Sequence, residues 1–238
     1  MLYKMKKILN QNLINFIEYF NLINANLLLN NSPIKRSKEN TTNTFTGTKL
    51  EKLNKLKKKI QFIKNCDLKK NATNLVFADG NIDSKIMFVG EGPGANEDLE
   101  GKPFVGRAGK LLDKMLAAIK LDRKKVYISN VVNYRPPSNR KPTEVEIERY
   151  LPYLKSHIEI INPKILLLLG STALNTLIGN DVVISKARGK WIQKEIGMVK
   201  PWIIASFHPA FLMRQPEQKK LAWIDLKMIR DKSKILKI

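Results

Sequence analysis

The sequence predicts an α/β protein, a three-layer α/β/α sandwich with a central, mainly parallel four-stranded sheet. Three observations predict it. Four short apolar runs alternate with segments whose apolar residues recur at helical spacing, which is the pattern of parallel strands joined by helical crossovers. The first run, KIMFV at residues 85–89, leads straight into GEGPGANEDLEGKPFVGRAG at residues 90–109, a Gly- and Pro-rich segment bearing acids. Finally, Glu91, Asn130, Ser171 and His208 each fall at or just beyond the end of a different run. In an open α/β sheet the carboxyl ends of parallel strands converge on the ligand site.

The elements follow in order. Residues 8–29 carry apolar residues near helical spacing and predict an N-terminal helix within 1–30. Residues 31–48 are polar, contain a Pro and show no usable period, so a flexible linker is expected there. A catalytic domain is then expected over 49–238. It opens with LEKLNKLKKKIQFI at residues 50–63, where Leu50, Leu53, Leu56, Ile60 and Ile63 form one stripe with lysines opposite. Strands are predicted at 86–89, 126–129, 165–169 and 202–206. Helices are predicted at 108–119, at 143–161, at 171–178 and from 216 to about 235. The second of these begins with Thr143 and Glu146 in capping-box spacing just after Pro142.

Composition narrows the partner. Of 238 residues, 43 are Lys or Arg and 21 are Asp or Glu, a formal charge of +22 that favours a polyanion through counterion release and steering. A biased genome is a competing source of the lysines, yet the sign still favours nucleic acid over acidic protein. The single cysteine, Cys66, excludes an internal disulfide framework and suits a reducing compartment. The basic head is followed by Asn10, Gln11, Asn12, Asn15 and Glu18 rather than by a long apolar run. The expectation is therefore a cytoplasmic protein with no membrane span and no signal peptide.

The residue types at the strand ends suggest chemistry. GEGPG alone is a weak signal, since Gly and Pro make tight turns anywhere. Phe104, in PFVG within the same loop, suits stacking on a planar base and equally suits plugging a core. His208 follows the fourth strand in HPAFLMRQP, where an imidazole at a strand end can act as acid or electrophile. His157, the only other histidine, lies mid-helix and reads as surface or packing.

Together these segments resemble the family 4 uracil-DNA glycosylases, whose pattern is GExPGxxEDxxGxPFVGxAG, then NVVxxRPPxNR, then HPAxLLRxPxxK. Here the chain reads GEGPGANEDLEGKPFVGRAG, NVVNYRPPSNR and HPAFLMRQPEQKK, and the resemblance spans about residues 66–232. It implies a monofunctional enzyme of base excision repair that releases uracil from DNA. A flipped base must be gripped by its edge and leave as an anion. By similarity Phe104 stacks on the uracil, Asn130 bonds its polar edge, and Glu97 crowds the C5 position against thymine's methyl group. His208 donates to O2, where charge develops, and Glu91, beside Gly92, orients water or stabilises the sugar cation. Other glycosylase families carry an aspartate where this chain has Gly92. Leu212, Met213 and Arg214 resemble a loop that wedges into the duplex, and Asn139, Arg140 and Ser171 are candidate phosphate contacts.

The pattern breaks at one place. Most members of the family hold a [4Fe–4S] cluster on four cysteines, and here those positions carry Cys66, Lys69, Tyr134 and Tyr150. One thiolate cannot hold such a cluster, so no iron–sulfur centre and no other cofactor is expected. Aromatic packing in its place is the corresponding expectation. Uracil-containing DNA is the expected partner of a monomer, and the N-terminal tail is a candidate contact for a replication or repair protein. Two further readings stand beside the first: a catalytically impaired DNA-binding protein that keeps the fold, and a nucleotide- or phosphate-binding α/β enzyme. The last is weakened because the loop lacks both the Lys-Ser/Thr ending of a P-loop and the GxGxxG order.

Overall fold

The computed structural model describes residues 47–238 with the exception of residue 181. The expected N-terminal helix, and the linker as far as residue 46, lie outside the described residues. Among the described residues no helix is long and apolar enough to cross a membrane.

The described residues open with α1 (Lys49–Gln61), capped by a reciprocal box in which the Thr48 side chain and Glu51 each satisfy the other's backbone amide. There follow α2 (Asp67–Asn71), β1 (Asp79–Gly80), β2 (Ile86–Gly90), α3 (Ala95–Glu100), α4 (Arg107–Ala118) and β3 (Tyr127–Asn130). A 3₁₀ turn (Pro137–Asn139) leads to α5 (Glu144–Ile161), β4 (Ile165–Leu169), α6 (Ser171–Leu177), α7 (Ile184–Ala187), β5 (Trp191–Gln193) and β6 (Trp202–Ser206). The chain closes with α8 (Pro209–Arg214), a second 3₁₀ turn (Pro216–Gln218) and α9 (Lys219–Ile235). Thr143 caps α5 through the Glu146 amide, and Asn162 ends that helix in the left-handed conformation at φ 51°.

The sheet corrects the expected architecture. Among the described residues it has six strands in the order β1-β3-β2-β4-β6-β5, and it is mixed, not a mainly parallel sheet of four. The inner β3, β2, β4 and β6 run parallel, whereas β1 pairs antiparallel with β3 and β5 antiparallel with β6. The outer strands are two and three residues long and incompletely buried, so neither presents an apolar run. Short strands of this kind blunt the edges of a sheet.

Layering follows from the period of two along each inner strand. Met87, Val89, Leu166, Leu168, Ile203 and Ala205 face one layer, where they meet Leu53, Leu56 and Ile60 of α1 and Leu154, Ile158 and Ile161 of α5. Ile86, Phe88, Ile165, Leu167, Leu169 and Ile204 face the other, against Leu112 and Leu116 of α4 and Leu226 and Ile229 of α9. The result is an α/β/α sandwich.

His157 belongs to this core. It is 2% exposed, its Nε2 lies 2.7 Å from the Tyr127 hydroxyl, and its ring stacks on Phe77 at 4.5 Å. Burial pushes its pKa down to about 3, so it is neutral at any ordinary pH.

Three of the four expected cluster positions also sit in the α1/α5 layer. Cys66, Tyr134 and Tyr150 are all buried there, with the Cys66 Sγ 3.2 Å from the Tyr150 hydroxyl. Lys69 lies at the surface and its Nζ donates to the Gln61 carbonyl. Phenol rings and one thiol do not supply the four soft ligands that an iron–sulfur cluster needs. No group of three or more His, Cys, Asp or Glu able to hold a metal occurs among the described residues.

Candidate active site

Because the inner strands are parallel, their carboxyl ends open on one edge of the sheet. Gly90, the last residue of β2, stands in register with Asn130, the last of β3. Leu169 of β4 is in register with Ser206 of β6, two residues before His208. A cavity of about 180 Å³ lies above these ends, lined by Glu91, Gly92, Glu97, Phe104, Asn130 and His208, with Ala108, Pro136, Asn139, Arg140 and Ala210 among the residues completing its wall.

Phe104 reaches the cavity through an unusual backbone. Its φ is 56°, left-handed and unfavourable for an aromatic residue, so neighbouring groups must hold it there. Arg123 does much of this. Its guanidinium donates to the Pro103 carbonyl at 3.0 Å and to the Phe104 carbonyl, while Asp79 and Asp113 accept from it at 2.7 and 2.8 Å. The edge strand β1 thus delivers Asp79 to a clamp on the pocket's aromatic ring. Gly109 makes the approach possible, because a Cβ there would fall 1.7 Å from the Phe104 carbonyl oxygen. Gly90 lies beneath the ring and beside the Asn130 amide, and a Cβ on it would meet both at about 2.6 Å and 2.5 Å.

Glu97 braces the same loop. Its two carboxylate oxygens accept from the Gly94 amide at 3.1 Å and the Gly106 amide at 2.8 Å, tying the start of the segment to its end. Glu91 accepts a hydrogen bond from the Thr172 hydroxyl in the first turn of α6, which fixes the carboxylate at the cavity wall.

His208 is the N-cap of α8, and its Nδ1 accepts from the Ala210 amide at 3.2 Å. Burial chiefly, with the Arg214 charge adding to it and Glu97 opposing, lowers its pKa to about 4. The imidazole is therefore neutral at pH 7, and with Nδ1 accepting, the proton resides on Nε2. Its ring lies 5.5 Å from that of Phe104, centroid to centroid. Behind it, Ser206 donates to Asp225 at 2.6 Å, and Asp225 is ion-paired with Arg188. That buried network anchors the end of β6.

Asn130 is 3% exposed, and its Oδ1 has no hydrogen-bond partner. Leaving a buried acceptor unpaired costs ~1–3 kcal/mol, and this one belongs to a residue that lines the cavity, with its oxygen packed towards Gly90.

The structure thus gathers Glu91, Gly92, Glu97, Phe104, Asn130, Asn139, Arg140 and His208 around one cavity. Ser171 opens α6 outside its lining. Leu212 is 1% exposed and packs into the α4/α9 layer, so its side chain cannot enter a duplex from this position. Met213 is half-buried and Arg214 exposed beside it. The Arg140 guanidinium forms a two-pronged pair with Glu146 at 2.7 and 2.8 Å, and Asn139 accepts from Arg135 at 2.7 Å. Sequence reasoning missed Thr172, Arg123 and Asp79. A hydroxyl next to Ser171 at a strand end was a usable sign for the first, whereas nothing in spacing connects Arg123 or Asp79 to Phe104.

A mixed sheet whose parallel inner strands carry a buried aromatic ring, a buried amide and a neutral imidazole around one cavity at their carboxyl edge has the layout of an α/β enzyme. The family model of the uracil DNA glycosylase superfamily matches residues 77–227. The type-4 uracil-DNA glycosylase of Archaeoglobus fulgidus is 41% identical over 184 residues, covering 76% of this chain and 92% of that protein. Those of Thermotoga maritima and Sulfurisphaera tokodaii are 48% identical over 150 residues and 42% over 190, covering 77% and 85% of their lengths and 63% and 76% of this chain. The chain belongs to the type-4 uracil-DNA glycosylases, as a divergent member that lacks cysteines for the iron–sulfur cluster.

Proposed function

We propose that this cavity receives a uracil flipped out of DNA and that the residues around it carry the family's reaction. The protein is a DNA-repair glycosylase, a hydrolase of the N-glycosidic bond of deoxyuridine. Its products are free uracil and an abasic site. The observation that carries this reading of the pocket is that Phe104, the neutral His208 and Asn130, whose Oδ1 has no hydrogen-bond partner, line the same cavity.

An Asn amide offers one acceptor and two donors, which match the N3–H and O4 of uracil. Cytosine presents an amino donor where uracil has O4, so the same amide disfavours it. Phe104 stacks on the base. As the C1′–N1 bond breaks, its electron pair leaves with the uracil, and negative charge gathers on O2. The Nε2–H of His208 donates to that oxygen, a fixed donor aimed at developing charge in a dry site. Glu91, held by Thr172, faces the sugar, stabilises its cationic character and orients the water that adds to C1′. Glu97 stands at the base's C5 side against thymine.

The remaining assignments are of the same kind. Arg214 and Met213, without Leu212, contact the DNA around the vacated position, and Asn139, Arg140 and Ser171 approach the phosphates. The protein works as a cytoplasmic monomer without an iron–sulfur cluster, and its N-terminal tail meets a replication or repair protein. The decisive experiment is incubation with an oligonucleotide holding one uracil, followed by alkaline cleavage of abasic sites. Scission that disappears in His208→Ala and Phe104→Ala while DNA binding persists supports these roles; binding without scission in the unaltered protein overturns them.

A further inference from the structure

We propose that a second cavity beside the first is a subsite for the nucleobase neighbouring the uracil, so that this chain grips two consecutive bases of one strand. The cavity, also about 180 Å³, lies between α4 and α9. Leu111, Met115 and Ala118 line it from one helix and Ala222, Trp223 and Leu226 from the other, with Leu212 of α8 at one end. On both helices the lining residues recur at helical spacing, which turns two facing stripes into an open slot.

Its place argues for DNA. The two cavities draw on the same two helices: Ala108 of α4 and Ala210 of α8 line the first, while Leu111 and Leu212 line the second. Three residues along a helix rise ~4.5 Å, so the near end of the second cavity begins about one helical turn from the first, and the slot runs on from there to Ala118. That near end is within reach of a nucleotide adjoining a uracil held in the first cavity.

Its chemistry argues for a base rather than for an apolar protein side chain. Trp223 is 38% exposed and offers a flat face, and any base can stack on such a face whatever its sequence. The Lys227 ammonium stands 5.9 Å from the centre of that ring. Lys114 and Lys219 belong to the lining itself, and Arg107 and Lys110 continue the positive charge along α4 towards the first cavity. Asp113 on α4 is paired with Arg123, which Asp79 shares, and Glu217 is the acid nearest the start of α9. An apolar slot rimmed by cations is complementary to a base flanked by phosphates.

The proposal rests on the uracil-DNA reading, and its test separates the two. Single-stranded oligonucleotides with one uracil are prepared in which each neighbouring nucleotide in turn is replaced by a tetrahydrofuran abasic unit, and KM and kcat for uracil release are measured. For the unaltered protein, one position raises KM about tenfold, the size expected from loss of one base–aromatic stack. Trp223→Ala raises KM on the intact oligonucleotide similarly and abolishes the dependence on the neighbouring base, whereas Trp223→Phe restores it. A penalty of equal size in Trp223→Ala, or none at any position in the unaltered protein, overturns the subsite. The second result would leave the slot to a protein partner. Failure to release uracil from every oligonucleotide would overturn the underlying reading itself, an outcome distinct from release that ignores the neighbouring base.

Discussion

Changing the pH probes the charge-stabilising end of the pocket, because the role of His208 depends on which of its forms is present. Its pKa is lowered to about 4 by burial, assisted by Arg214. At pH 7 the imidazolium is then on the order of 0.1% of the population, and holding the ring charged would cost on the order of 4 kcal/mol. A mechanism that needed the cation would forfeit about three powers of ten in rate, so the neutral Nε2–H is the working donor. Activity on a uracil oligonucleotide should stay level from pH 8 down to about pH 5 and fall only as the ring protonates. His208→Gln should lower kcat by ~10²–10³, the cost of losing one such donor. The chain holds two histidines, and comparison of NMR spectra with His208→Gln assigns the resonances of each. A His208 signal titrating near pH 6.5, with activity that declines as pH rises through it, would refute the argument. The same depression links to stability. The unfolded chain binds the proton more tightly, so a contribution of about 3 kcal/mol is complete above pH 6.5 and is lost as pH falls through 4. His157, lowered to about 3, acts in the same sense, so acid unfolding should steepen below pH 6.

Other outcomes follow from the loop and the core. Gly109→Ala should displace the Phe104 carbonyl and reduce kcat/KM at least a hundredfold while leaving circular dichroism unchanged; near-normal kinetics would show that the left-handed turn is dispensable. Thr172→Val should lower kcat by roughly tenfold with little change in KM, since a hydrogen bond to a charged group contributes ~1.5–3 kcal/mol. An effect confined to KM would remove its role in aiming Glu91. Glu97→Ala removes both amide acceptors that close the 90–109 segment, so it should raise KM for uracil as well as admit thymine; an unchanged ratio of uracil to thymine release would strike out the second effect. Iron and sulfide analysis of anaerobically purified protein should find neither in stoichiometric amount, and four irons per chain would contradict the packed Cys66, Tyr134 and Tyr150.

The inner strands were legible because both faces of a parallel sheet are covered, which writes ILLLL at 165–169 and IMFV at 86–89 as unbroken apolar runs. The edge strands were not, because two residues reading Asp-Gly and three reading Trp-Ile-Gln are too short to show a period. Within the site, residues at strand ends could be named from the sequence, since topology alone brings those ends together. Contacts that hold them in place were hidden. Arg123 meets Phe104 only after α4 has folded back to β3, and the brace formed by Glu97 depends on backbone amides that no side-chain pattern reveals. Leu212 shows the converse. Its place in a loop motif suggested a surface role, yet the facing helices bury it, because an aliphatic side chain on a short helix follows whichever apolar layer lies beneath.

The cavity is lined from the ends of three of the four parallel strands, with Glu91 after the first in sequence and His208 after the last, and the remaining strand, β4, supports it through Thr172 on Glu91. Every crossover connection must close before the cavity exists, and contacts so distant along the chain are slow to form. Turnover is consequently an all-or-nothing gauge of successful folding. No excised fragment will retain a fraction of it, and interrupting any one crossover will silence the enzyme even where the remaining helices and strands survive.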